Sequence, residues 1–161
     1  MDDKKALIFS VAKELFSESG FKDTNVSEIT RKAGVAVGTF YLYYASKEKL
    51  FFEIFMEENL KLKQHCLDSL DYSAAPQEIV EQMLRPNVEG ANENPTLRQW
   101  YQSSVYHKLE QVFREEHALG SMTFLYDAFL VLVERWQAEG KMRRDIDSKM
   151  IMMLFAAIIN V

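Results

Sequence analysis

Apolar positions recur at intervals of three and four along almost the whole chain, a period that predicts helices rather than strands. Leu7, Ile8, Val11, Ala12, Leu15 and Phe16 mark a first amphipathic helix over residues 4–19, and Gly20 sits where a helix can end in a left-handed residue. A second helix is expected over 26–33, with Asn25 at its N-cap and Glu28 at the capping-box spacing. Gly34 breaks it. A short helix over 37–43 follows, in which Phe40 and Tyr44, four apart, form an inward aromatic face. Ser46 caps a long helix that carries Leu50, Phe51, Ile54, Phe55, Leu62 and Leu67 and ends near Leu70.

Beyond the short linker 71–76, Pro76 opens a helix with Ile79, Val80, Met83 and Leu84. Residues 85–95, RPNVEGANENP, hold two Pro, one Gly and three Asn, and are predicted to be a loop. From Thr96 one helix is expected to carry Leu97, Tyr101, Val105, Leu109 and Val112, with Gly120-Ser121 separating it from the next. Residues 122–139 are apolar nearly all round, which predicts a central, buried helix. Gly140 closes it, and Asp147 or Ser148 caps a last helix, MIMMLFAAIINV. The fold class is all-α.

Two short helices joined by a glycine-bearing turn form a helix-turn-helix, a unit that can enter a DNA groove. With Phe40 and Tyr44 turned inward, Val37, Gly38, Thr39, Tyr41 and Tyr43 are left pointing outward. Thr39 can hydrogen-bond a base edge or a phosphate, and its methyl can meet a thymine methyl. Gly38 lets the backbone come close, and Tyr41 and Tyr43 offer phenolic donors. Lys47 can neutralise a phosphate, while Thr24 and Ser27 lie near a helix N-terminus that favours one. The plainer alternative is a small bundle with Tyr41, Tyr43 and Tyr44 all in its core, which requires three satisfied hydroxyls.

Gly20-Phe21, Asn25-Val26, Ile29, Ala33-Gly34-Val35, Gly38-Thr39-Phe40-Tyr41, Tyr44 and Ser46-Lys47-Glu48-Lys49-Leu50 together resemble the N-terminal domain of the TetR family of transcriptional regulators. About the first 50 residues match closely; the rest is similar only in architecture. The resemblance implies a three-helix DNA-binding domain over 1–46. It also implies a helical ligand-binding and dimerisation domain over 47–161, missing its last helix at the C-terminus. The implied role is repression of a palindromic operator by a homodimer, relieved by a small molecule. Ser27, Val37, Gly38, Thr39, Tyr41, Tyr43 and Lys47 then occupy DNA-contacting positions. Two departures stand out. Ala36 replaces the usual Ser or Thr cap, an absence that costs about 0.5–2 kcal/mol of helix stability. Val37 replaces an often polar, base-reading residue.

Charge sharpens this picture. Residues 1–50 hold eight Lys/Arg against seven Asp/Glu, so a chain of net charge −5 carries +1 there and −6 in the remainder. Within 31–49 the balance is four positive against one negative, which concentrates positive charge on the helix-turn-helix. A hydrophobic fraction of 48% with 12% aromatics excludes a disordered chain. No apolar run reaches the roughly 18 residues of a membrane span, no signal segment opens the chain, and the single Cys66 fits a reducing cytoplasm.

An effector pocket is the family's implication, and composition supports it. Trp100, Tyr101, Phe124 and Tyr126, with Tyr106, Phe129 and eight Met, supply adaptable apolar walls; Gln64, Ser104, His107 and Asp127 are candidate orienting groups. An apolar or planar aromatic ligand is favoured. The apolar last helix suggests an interface, and in the family the final two helices build a dimeric four-helix bundle. His65, His107 and His117 lack metal-site spacing, and no P-loop, GxGxxG or GxSxG is present, so neither a metal, a cofactor nor catalysis is expected. Two alternatives remain open: a regulator of the same fold that activates or answers to a protein partner, and a helical scaffold that binds no DNA.

Overall fold

The computed structural model describes the backbone of residues 3–100, 102–115 and 123–159, and the side chains of these except 103, 104, 113–115, 123–125 and 156–159. All regular structure among the described residues is helical. The order is α1 (Asp3–Asp23), α2 (Val26–Lys32), α3 (Val37–Tyr43), α4 (Lys47–Asp68), α5 (Pro76–Glu93), α6 (Pro95–Trp100), α7 (Ser103–Glu115), α8 (Thr123–Ala138) and α9 (Ser148–Ile159). Two compact units result. One holds α1–α3, α4 as far as Lys61, and the chain from Gly90 through α7; the other holds α4 from Leu62, α5 as far as Glu89, α8 and α9.

In the first unit the buried residues include Ile8, Val11, Ala12, Leu15 and Phe16 of α1, Ile29 of α2, Phe40 of α3 and Leu50, Phe51 and Ile54 of α4, and the Phe16 and Phe51 rings meet edge-on with centroids 5.1 Å apart. Leu7, expected in that stripe, is exposed, because the buried face is centred on Ile8 and Ala12. Gly20 does not end the first helix outright. It takes φ 83° and ψ 166°, a kink open to glycine, after which the chain coils on to Asp23. Phe21 thereby turns inward, and its ring meets those of Phe16 and Phe51 with centroids 6.1 and 5.0 Å away.

The loop predicted over 85–95 is a correction. α5 runs through Pro86 to Glu93. Ile79, Asn87 and Ala91 are buried and Met83 half-buried, a stripe at four-residue spacing that continues across the proline. One missing N–H costs less than breaking such a stripe. The turn shrinks to Asn94, whose Oδ1 accepts from the N–H of Thr96 and Leu97 at 2.9 and 3.2 Å and so caps α6. The single helix expected from Thr96 to beyond Val112 is instead two, α6 and α7. The break expected at Gly120-Ser121 lies outside the described residues.

In the second unit, Leu67 of α4, Leu70 just beyond it, Ile79 of α5, Phe129, Leu132, Val133 and Trp136 of α8 and Ile151 of α9 form one core. Phe155 of α9 meets Phe129 edge-on, 4.9 Å between centroids. α8 is apolar nearly all round but not enclosed, since Val131 stays 64% exposed.

Candidate nucleic-acid interface

The helix-turn-helix is assembled by its caps. Asn25 has extended backbone, and its Oδ1 accepts from the Glu28 N–H at 2.9 Å, which starts α2. At the other end Gly34 adopts φ 65°, the Val35 N–H donates to Thr30 O at 3.0 Å, and the Gly34 N–H donates to Arg31 O at 3.2 Å. Those two bonds form a Schellman turn, which satisfies the terminal carbonyls of α2 and aims the chain into α3. Ala36 precedes α3 with no side-chain cap, as its sequence implies.

α3 is anchored from below by Phe40 and Tyr44, both buried, with ring centroids 5.7 Å apart. The Tyr44 hydroxyl has no hydrogen-bond partner, and its burial, helped by Glu53, pushes its pKa up. The opposite face of α3 carries Val37, Gly38, Tyr41 and Leu42, all exposed, while Thr39 and Tyr43 are half-buried. Tyr41 is 55% and Leu42 79% exposed. A Cβ added at Gly38 would meet no atom within 4 Å, so the backbone there is open to approach. Ser27 is exposed in the first turn of α2. Leu42 was missed by pattern reading, because an apolar residue in an amphipathic helix is assigned inward by default.

Lys47 is placed otherwise than a simple phosphate contact. Its ammonium donates to Phe21 O and Thr24 O, each at 2.6 Å, and lies 4.3 Å from the centre of the Phe21 ring. Burial lowers its pKa, against the opposing pull of Glu48. Lys47 therefore ties the start of α4 to the end of α1. Lys32 is paired with Glu14 at 2.9 Å, which leaves Arg31 exposed beside it.

Gln99 is a second residue that sequence reading missed. It is buried, its Oε1 accepts from the Phe21 N–H, and its Nε2 donates to Phe16 O and Pro95 O, both at 2.9 Å. One amide thus satisfies the backbone at the α1 kink and holds α6 there. Only its burial marks it, and glutamine in a helix gives no sequence signal of that.

The expected effector residues are less collected. Gln64 faces solvent and donates to Asp68 Oδ1 at 2.8 Å; His107 and Asp127 are exposed, and Tyr126 is half-buried. Trp100 stacks on Phe55, 4.6 Å between centroids. Tyr101 and the side chains of Ser104 and Phe124 lie outside the described residues. Among the described residues no helix is long and apolar enough to cross a membrane.

Residues 8–54, which contain this whole unit, match the family model described as bacterial regulatory proteins, tetR family. Over this segment the chain is of the TetR type. One relative, the uncharacterized HTH-type transcriptional regulator YhgD of Bacillus subtilis, is 28% identical over 120 residues, 74% of this chain and 56% of that protein. The chain therefore spans little more than half of that relative's length. The fatty acid metabolism regulator protein of the same species is 41% identical over 39% of this chain and 38% of its own. Among solved structures, the transcriptional regulator FadR from Bacillus subtilis, in complex with stearoyl-CoA, is similar at a TM-score of 0.61. That match covers 96% of this chain and 82% of the other at 18% identity, so it shows a shared fold.

Proposed function

We propose that this chain is a cytoplasmic, dimeric, sequence-specific DNA-binding repressor, released from a palindromic operator by a small apolar effector. Residues 1–46 form the reading head, and 47–161 provide the effector and dimerisation functions. The observation that carries this reading is the outer face of α3. Val37, Gly38, Tyr41 and Leu42 are exposed on a helix whose other face is locked into the core by Phe40 and Tyr44. Such a face offers phenolic donors, an open backbone and apolar groups for thymine methyls, a set suited to the major groove.

The effector class follows from the relatives. One is named as a fatty acid metabolism regulator, and a regulator of the same fold was solved with stearoyl-CoA. Both favour an acyl-chain ligand here over a planar aromatic one. Dimerisation draws support from α8 and α9, where Val131, Met150, Met153 and Leu154 stand exposed.

Selection from random duplex DNA, followed by a salt titration on the enriched sequences, tests the reading. A palindromic site bound with a steep negative salt slope is the expected result. Failure of an intact dimer to enrich any sequence would refute it.

A further inference from the structure

A boundary at residue 46 assigns α7 to the effector half of the chain, yet α7 packs into the unit that carries the reading head. The link is α6. Gln99 bonds the Phe21 N–H and Phe16 O at the α1 kink, and α7 begins soon after, at Ser103. Val105, Leu109 and Val112 of α7 are buried at four- and three-residue spacing, which fixes how that helix is turned. Lys108 lies off this stripe. It is exposed, and its Nζ is 5.9 Å from the centre of the Phe21 ring.

The Lys47 ammonium lies 4.3 Å from the centre of the same ring. Two cations that share one ring repel each other. Burial most of all lowers the Lys47 pKa, and the Lys108 charge lowers it further, against the pull of Glu48 and Asp23. Among the described residues neither ammonium is bonded to a carboxylate. Lys47 is held by the carbonyls of Phe21 and Thr24, so it is a fixed charge, whereas Lys108 is bonded to no described residue and has three donors to offer. An anion brought from outside offsets the repulsion and takes up those donors. The place of the pair says which anion. Thr24, whose carbonyl holds Lys47, precedes the N-cap Asn25, and Lys47 opens α4 just beyond the end of α3, so the pair stands at the edge of the helix-turn-helix. A helix seated in the major groove has phosphates along both walls of that groove, and contacts to them set its register.

We propose that Lys108 contacts a phosphate of duplex DNA while α3 occupies the groove, so that the DNA interface extends past the helix-turn-helix to α7. This rests on the DNA-binding reading and adds to it a contact from outside the matched segment 8–54. Phosphate contacts carry no sequence information, so a short fluorescent duplex of random sequence is a sufficient probe. Its binding to the full chain is followed by anisotropy between about 50 and 200 mM salt. Wild type is compared with Lys108→Gln, with Lys108→Arg, and with Lys149→Gln, which removes the same charge from an exposed position on α9.

Each phosphate contact contributes about 0.9 to the slope of log K against log salt. Lys108→Gln is expected to flatten the slope by about that amount per bound protomer and to weaken binding, while Lys108→Arg and Lys149→Gln keep the wild-type slope. An unchanged slope in Lys108→Gln overturns the contact and leaves the DNA reader standing. An equal fall in Lys149→Gln overturns it too, since net charge would then be the cause. A wild type that binds the duplex without a salt slope, or not at all, removes the DNA-binding reading along with the contact. The arginine variant guards against misfolding: a slope lost in both Lys108→Gln and Lys108→Arg overturns a contact made through charge.

Discussion

Leu42 carries the least ambiguous consequence of any single side chain in the reading head. At 79% exposure it contributes almost nothing to the core, so Leu42→Ala is expected to change stability by less than about 0.5 kcal/mol. If α3 enters the major groove, the same change removes an apolar contact that recognises thymine methyls, and operator preference shifts at one base pair per half-site. Melting together with repeated duplex selection checks this; an unchanged sequence preference would place Leu42 outside the interface. Lys47 is the opposite case. Lys47→Met keeps the stem over the Phe21 ring but removes the donors to Phe21 O and Thr24 O. A loss of about 1–3 kcal/mol in stability is expected, with weaker DNA binding as its result. Were the melting midpoint to stay put while DNA affinity fell, the ammonium would belong to a phosphate instead. The two residues also show what a pattern can and cannot convey. Helical period placed Phe40 and Tyr44 inward correctly, since four-residue spacing is geometry. It gave Leu42 no role because hydrophobicity alone does not say which side of a thin helix is wet. It gave Lys47 to a phosphate alone because backbone carbonyls leave no trace in a sequence.

At the scale of elements, the helix-turn-helix was legible because each of its signals is local: Asn25 for the start of α2, Gly34 for its end, the unfilled cap at Ala36. What escaped was set by tertiary contact. Pro86 reads as a breaker, yet the buried stripe from Ile79 to Ala91 carries α5 past it. Gln99 reads as an ordinary helix former, yet it holds the α1 kink. Gln99→Leu keeps the volume and strands the Phe21 N–H, so a loss of about 1–3 kcal/mol is expected by chemical denaturation. A loss below about 0.5 kcal/mol would mean that water replaces the amide. The junction of α1 with α4 makes a pH prediction. The Lys13 ammonium reaches Glu57 at 3.0 Å and Glu58 at 2.6 Å. The Lys61 bond, ahead of Lys13, holds Glu57 below the ordinary value of 4.5. Burial pushes Glu58 upward, but Lys13 and Asn94 outweigh it, and it too lies below 4.5. The folded state therefore takes up these protons less readily than the unfolded chain. The junction's stabilisation is complete above that ordinary value and fades as pH falls through the lowered folded ones. Glu58→Gln should flatten the fall of the melting midpoint in that acid range, and an unaltered slope would show that other carboxylates dominate.

Across the whole molecule, a boundary read from sequence falls in the loop before α4, whereas the compact units exchange at Lys61 and again at Glu89. The cause is the length of α4: one 22-residue helix supplies core residues to both units, and no local signal marks where its allegiance changes. The second unit raises the remaining question of what covers α8 and α9. Phe129, Trp136 and Phe155 explain their mutual packing. They do not explain Met150, Met153 and Leu154, which sit at three- and four-residue spacing on α9, or Val131 on α8, all exposed. A monomer in water gains nothing from that stripe, whereas a second copy presenting the same stripe buries both by symmetry. A carboxylate within it would then be buried twice in each dimer and repelled by its own copy, while costing an isolated monomer little at a position 65% exposed. Met153→Glu is accordingly expected to give a folded monomer by sedimentation equilibrium. Because half-sites about 34 Å apart are read jointly by two heads, it should also bind a palindromic operator no better than a single half-site. If Met153→Glu remains dimeric with full operator affinity, the apolar stripe of α9 is not the dimer contact.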